Sequence, residues 1–129
     1  MKQYVLGFAF DKAKKKAVLI LKNYPAFQCN KFNGIGGEIR HDESPAQAMT
    51  REFYKETGAQ SSPTDWDYYA CINHKDYIIY CFAMFSDIIK DCSTVTEEII
   101  VIKQVSLVEH LPLVTKTKEL LRLALLKDK

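Results

Sequence analysis

"GGEIRHDESPAQAMTREFYKETGA", residues 36–59, joins a glycine-rich segment to a run with helical spacing. Ser44 can cap that helix, Pro45 suits its first position, and Gln47, three residues after Ser44, completes a capping-box pattern. Gly58 is a natural C-terminal stop. Met49 and Phe53 lie four apart with Ala46 one turn earlier, so an apolar stripe faces the core, and Arg51, Glu52, Lys55 and Glu56 fall on other faces. Four of the five glycines, Gly34, Gly36, Gly37 and Gly58, lie in or beside this stretch. The three before the helix predict a turn of unusual backbone geometry.

On either side the chain reads as strands. "YVLGFAF" (4–10) and "AVLILK" (17–22) form one hairpin across a charged turn, and "NYPAFQCNKF" (23–32) is a loop over a cleft. Aromatic and β-branched residues predict a second hairpin from 65–74 and 77–85. Residues 87–96 read as a loop, 97–105 as another strand, and 115–129 as a closing amphipathic helix.

The 129 residues, 47% of them hydrophobic, suffice for one core and predict a single domain over 1–129. The net charge of +2 is small, and the run "DKAKKK" (11–16) reads as a solvated hairpin turn, so no nucleic-acid partner is expected. No segment approaches the ~20 apolar residues of a membrane span, and the N-terminus lacks a signal peptide's apolar region; a cytoplasmic protein without a membrane partner is expected. Cys29, Cys71, Cys81 and Cys92 are far apart with no C-x-x-C pair, which argues against a zinc knuckle or redox dithiol. Cys71 and Cys81, inside apolar runs, read as small buried hydrophobes. Apolar strand edges and the Leu-rich last helix permit a homodimer as well as a monomer.

Glu52 and Glu56, four apart on a helix, can turn both carboxylates to one cation. Hard oxygen ligands suit magnesium or manganese, ions that also favour phosphate oxygens. A bare carbonyl from Gly36 or Gly37 can approach the same ion. Glu43 and Arg51, eight apart, can make a charge-assisted bond that ties loop to helix and orients Glu52.

Residues 37–59 resemble the Nudix box, G-x5-E-x7-R-E-U-x-E-E-x-G-U with U apolar. Gly37, Glu43, Arg51, Glu52, Phe53, Glu56, Gly58 and Ala59 match at the required spacing. The order of strands and helices also resembles the Nudix fold, so the resemblance implies an α/β/α sandwich with a mixed sheet. It further implies cleavage of a nucleoside diphosphate linked to another moiety, with magnesium, or manganese in its place, at the pyrophosphate and water attacking phosphorus. Carried over position by position, Glu52 and Glu56 would hold the metal with the Gly36 carbonyl, Glu52 would also orient or deprotonate water, and Arg51 with Glu43 would hold the loop.

Lys55 departs from the pattern, which has Glu there, and the swing of two charge units disfavours additional metals. Three readings follow: one ion held by Glu52 and Glu56, with Lys55 aside or on a phosphate; a slow hydrolase helped by another carboxylate; or a nucleotide-binding sensor without catalysis. Glu97 or Glu98, at the start of the late strand, is a candidate for that extra carboxylate. Strand alternation admits only one of them to the cleft, and Glu97 is favoured, the alternative being that both are solvated.

"KFNGIGG" (31–37) resembles the segment of MutT-type enzymes in which an Asn contacts a purine base, so Asn33 is expected either to read a base edge or to serve the turn before Gly34. Phe27 is a candidate stacking surface among several aromatics, and Gly37 and Lys55 complete the expected substrate contacts. The resulting expectation is a magnesium-dependent hydrolase of a small-molecule nucleotide, with a purine nucleoside triphosphate, oxidised or not, as the leading substrate.

Overall fold

A computed structural model describes residues 1–127. Strands β1 (Lys2–Phe10) and β6 (Tyr77–Phe85) run parallel side by side at the centre of the sheet, paired from Lys2↔Tyr77 to Phe10↔Phe85. Strand β5 (Asp67–Asn73) lies antiparallel on the outer edge of β6. The other edge of β1 is shared: Ala9 and Phe10 pair with β2 (Lys16–Leu21), and Tyr4 to Gly7 pair with β4 (Ile35–Glu38). The short β3 (Phe32–Asn33) and β7 (Ile99–Gln104) flank β2. One parallel pair among antiparallel ones makes the sheet mixed.

Alternation along the strands divides the core into two layers. Val5, Ala9, Val18, Phe82 and Met84 face helix α1 (Pro45–Thr57), whose Met49 and Phe53 are fully buried among them. Phe8, Phe10, Leu19, Cys81 and Ala83 face the opposite way, onto α2 (Val105–Val108) and α3 (Thr117–Leu125) through Val108, Leu120, Leu121 and Ala124. The expected α/β/α sandwich is therefore what the chain forms. Trp66 closes the α1 layer, edge-on to Phe53 at 5.2 Å.

Helix α1 begins and ends where its sequence directs. The Gln47 N–H donates to Ser44 Oγ at 3.1 Å and the Ser44 N–H donates to Gln47 Oε1 at 2.8 Å; a cap of this kind contributes about 1 kcal/mol. Gly58, at φ +75°, takes the left-handed turn and its N–H donates to the Tyr54 carbonyl.

Several expectations are corrected. The segment after Gly34 is strand β4 rather than a turn, and Gly34, Gly36 and Gly37 have no positive φ. They are small because something stands close to them: a Cβ on Gly36 would fall on the Val5 carbonyl, and one on Gly37 on the Glu52 carboxyl. The buried stripe of α1 is wider than its apolar residues, because Glu52 and Glu56 sit one and two turns beyond Ala48, beside Phe53 and Thr57. The late strand starts at Ile99, not 97. Thr94 Oγ1 accepts from the Ile100 N–H and Thr96 Oγ1 from the Glu98 N–H, side-chain bonds that hold residues 94–98 out of the ladder. Short 3₁₀ turns occupy Ala26–Gln28 and Asp87–Asp91 within the expected loops, and another, Pro63–Asp65, delays the start of β5. Cys81 is buried but Cys71 is exposed, on the solvent side of edge strand β5. Residues 128 and 129 of the expected last helix lie outside the described residues.

Candidate active site

Strand β4 runs along β1 and hands the chain to α1 through residues 39–44, and the Gly37 backbone lies against the Glu52 carboxyl in the middle of the helix. Arg51 ties the three parts together. Its Nε donates to Glu43 Oε2 at 3.1 Å, and its Nη2 donates to Glu43 Oε1 at 2.6 Å and to the Glu38 carbonyl at 3.0 Å. Nη1 donates to Glu52 Oε2 at 2.6 Å. Glu43 also accepts from the Arg40 N–H at 2.9 Å, so one fork-to-carboxylate pair closes the loop onto the helix and leaves a further donor to fix Glu52.

The Arg51 hydrogen bond, partly opposed by burial and reinforced by the Arg40 N–H, holds the Glu43 carboxyl below its ordinary 4.5; the same pairing with Glu43, against desolvation, raises Arg51. A carboxylate depressed by folding stabilises the fold above its unfolded-state pKa and loses that contribution as pH falls through the folded-state value. Urea unfolding should therefore separate wild type from Glu43→Gln near neutral pH, with the gap closing below pH 4.5. A gap independent of pH would show that the ionised pair contributes nothing.

Glu52 and Glu56 are 4% and 8% exposed, low values for carboxylates at the floor of an open cleft of about 850 Å3. Gly36, Gly37, Glu43, Arg51, Lys55 and His41 line the same cleft. Glu56 Oε1 accepts from Thr96 Oγ1 at 3.0 Å. The Lys55 ammonium lies between the two carboxylates, 3.7 Å from Glu52 Oε1 and 4.0 Å from Glu56 Oε2. Among the described residues no group of three or more His, Cys, Asp and Glu side chains is placed to hold an ion. Two buried carboxylates in a cleft also lined by Gly36 and Gly37 are nevertheless a donor set that fits magnesium, which takes one or two protein carboxylates and completes its shell with water and phosphate oxygens. A cationic group already between them marks the place as one that favours positive charge.

The remaining expected site residues lie elsewhere. Asn33 and Phe27 line a separate hollow of about 480 Å3, with Lys31, Tyr77 and Lys116. The Asn33 side-chain oxygen is committed, accepting from the Gly34 N–H at 2.8 Å and from Thr117 Oγ1 at 3.1 Å, which leaves only its NH2 group to offer. Phe27 is 74% exposed. Glu97 lies before the strand, not at an alternating position within it, and is exposed; both it and Glu98 line a hollow of about 430 Å3 that meets the main cleft at Lys55 and Glu56.

Thr96 and the Glu38 carbonyl are not among the expected site groups, and Glu98 is the less favoured of the two expected acids. Thr96 holds Glu56, the Glu38 carbonyl accepts from Arg51, and Glu98 has a buried Oε2 with no hydrogen-bond partner among the described residues while Oε1 lies 3.6 Å from the Lys22 ammonium. Only the "TEE" at 96–98 offered a signal, and it did not distinguish the two acids.

The model of the NUDIX domain matches residues 2–123. Among solved structures the chain is similar to a MutT from work on Aliivibrio salmonicida and Vibrio cholerae, with 13% identity and a TM-score of 0.80 over 96% of this chain and 97% of that one. It is also similar to the mutator MutT protein of Bacillus halodurans (17% identity, TM-score 0.75, 100% and 85% covered). A third similar structure is the NUDIX domain of Shewanella oneidensis NrtR in complex with ADP ribose (18%, TM-score 0.77, 95% and 84% covered). At these identities the likeness is one of fold. No curated protein matches the chain significantly.

Proposed function

The chain belongs to the Nudix family, and on that premise we propose that it hydrolyses the pyrophosphate linkage of a nucleoside diphosphate derivative with the help of magnesium or manganese. The leading substrate is a purine nucleoside triphosphate, oxidised or not, which water converts to the monophosphate and pyrophosphate. The observation that carries this reading is the pair Glu52 and Glu56, both buried at the floor of an open cleft, the first braced by Arg51 and the second by Thr96.

When bound, the divalent ion neutralises charge on the pyrophosphate and acidifies coordinated water. Glu52 and Glu56 would hold it together with the Gly36 carbonyl. Glu52 has one oxygen engaged by Arg51, and its other is the group that orients attacking water or takes its proton. Arg51, through Glu43, keeps that carboxylate in place. Lys55 is exposed enough to reach a phosphate, and Gly37, lacking a side chain, leaves room for the Glu52 carboxyl and lines the cleft a phosphate would enter. Glu97 is a further acidic group beside Glu56. Glu98, with its orphaned oxygen, is the better placed of the two to supplement the ion's shell or the water. Asn33, through its NH2 group, and Phe27, as a stacking face, would receive the base in the neighbouring hollow.

A second reading, nucleotide binding without turnover, is favoured by one observation: a lysine ammonium stands between the two carboxylates. The similar NrtR domain was crystallised with ADP ribose, which makes that compound part of the test. Purified protein should be offered nucleoside triphosphates, ADP ribose, dinucleoside polyphosphates and nucleotide sugars with magnesium or manganese. Release of monophosphate that stops on chelation is the expected result. Binding without release in every case would transfer the assignment to the second reading.

A further inference from the structure

Two cations face the Glu52 carboxylate, one of them facing Glu56 as well, and they differ in how they are held. Arg51 makes four hydrogen bonds and its side chain is 23% exposed. Lys55 makes ion pairs only, at 3.7 and 4.0 Å, and its side chain is 60% exposed. Arg51 is part of the frame, and Lys55 is exchangeable. Arg51 is shared between Glu43 and Glu52, so with Lys55 the three carboxylates Glu43, Glu52 and Glu56 outnumber the two cations by one; a divalent ion in place of Lys55 would balance them, and ion and ammonium cannot share the position because they repel across a few ångströms.

Building on the ion-dependent function proposed above, we propose that Lys55 is a resident counter-ion that a divalent cation must displace, and that a diphosphate group gives the displaced ammonium its new partner. Ion and diphosphate then load together: each strengthens the other's binding by the same factor. If Lys55 closes the site about nine-tenths of the time, the ion's affinity for free protein falls about tenfold.

The test is calorimetric titration of manganese into the full chain and into Lys55→Met, with and without methylenediphosphonate and corrected for the phosphonate's own chelation. Lys55→Gln serves as a second neutral variant. The exposed helix position makes both variants easy to fold, and their melting temperatures check this. Wild type is expected to bind manganese weakly alone and about tenfold or more tightly with the phosphonate. Lys55→Met and Lys55→Gln should bind the ion alone about tenfold more tightly than wild type and lose most of the enhancement. Equal manganese affinity in all three proteins would overturn this proposal and leave the ion-dependent function standing. No manganese binding by any of them, with or without phosphonate, would remove both.

Discussion

Glu52→Gln should lower hydrolysis about a thousandfold at saturating magnesium, equivalent to about 4 kcal/mol of lost transition-state stabilisation. Gln has nearly the same volume, and Arg51 can still donate to its side-chain oxygen, so the buried position of residue 52 survives. What disappears is the negative charge. The amide is a weaker ligand for a hard cation and cannot take a proton from water. Steady-state rates beside thermal unfolding separate chemistry from folding: the rate should collapse while the melting temperature moves by only a few degrees. A variant that kept most of the wild-type rate would take Glu52 out of the reaction.

Gly37→Ala is expected to have the second-largest effect, on the same carboxylate approached from the other side. A Cβ there would stand 2.6 and 2.7 Å from the Glu52 oxygens, well inside van der Waals contact. Strand β4 cannot withdraw, because Gly37 is paired with Val5 in the sheet. The Glu52 side chain has to give, leaving its bond with Arg51 and its place beside Glu56. Manganese affinity should fall about 10- to 100-fold, with a stability cost of about 1–3 kcal/mol for the overpacking. Gly36→Ala provides the contrast, since its Cβ meets the Val5 carbonyl, a backbone group that cannot turn aside as a side chain can. That variant should fail in folding, whereas Gly37→Ala should fold and bind the ion poorly. Undiminished manganese binding by Gly37→Ala would mean that the carboxylate can leave its observed place without consequence.

These two residues illustrate what the sequence discloses and what it withholds. The helix limits were legible because Ser44, Pro45, Gln47 and Gly58 act through local hydrogen bonds and dihedral preferences. The box residues were legible because their spacing is tied to one helix and the loop before it. The reason for the glycines was not, since it depends on how near Val5 and Glu52 come from other parts of the chain. Counting apolar residues likewise hid Glu52 and Glu56 on the buried stripe, for their burial depends on Arg51, Thr96 and the strand opposite. Alternation was the wrong rule for Glu97 and Glu98, which two threonine hydroxyl contacts hold outside the ladder. Asn33 and Phe27 share a hollow of their own that no linear spacing could separate from the main cleft.

On the proposed function, the Glu52 and Glu56 carboxylates hold a divalent ion that Lys55 does not permanently exclude. A crystal structure grown with manganese and a non-hydrolysable nucleotide tests it most directly through the anomalous signal. A peak is expected within coordination distance of both carboxylates, with the Lys55 ammonium turned away toward the phosphates. Nucleotide bound with no peak at that position, and Lys55 still between Glu52 and Glu56, would contradict it.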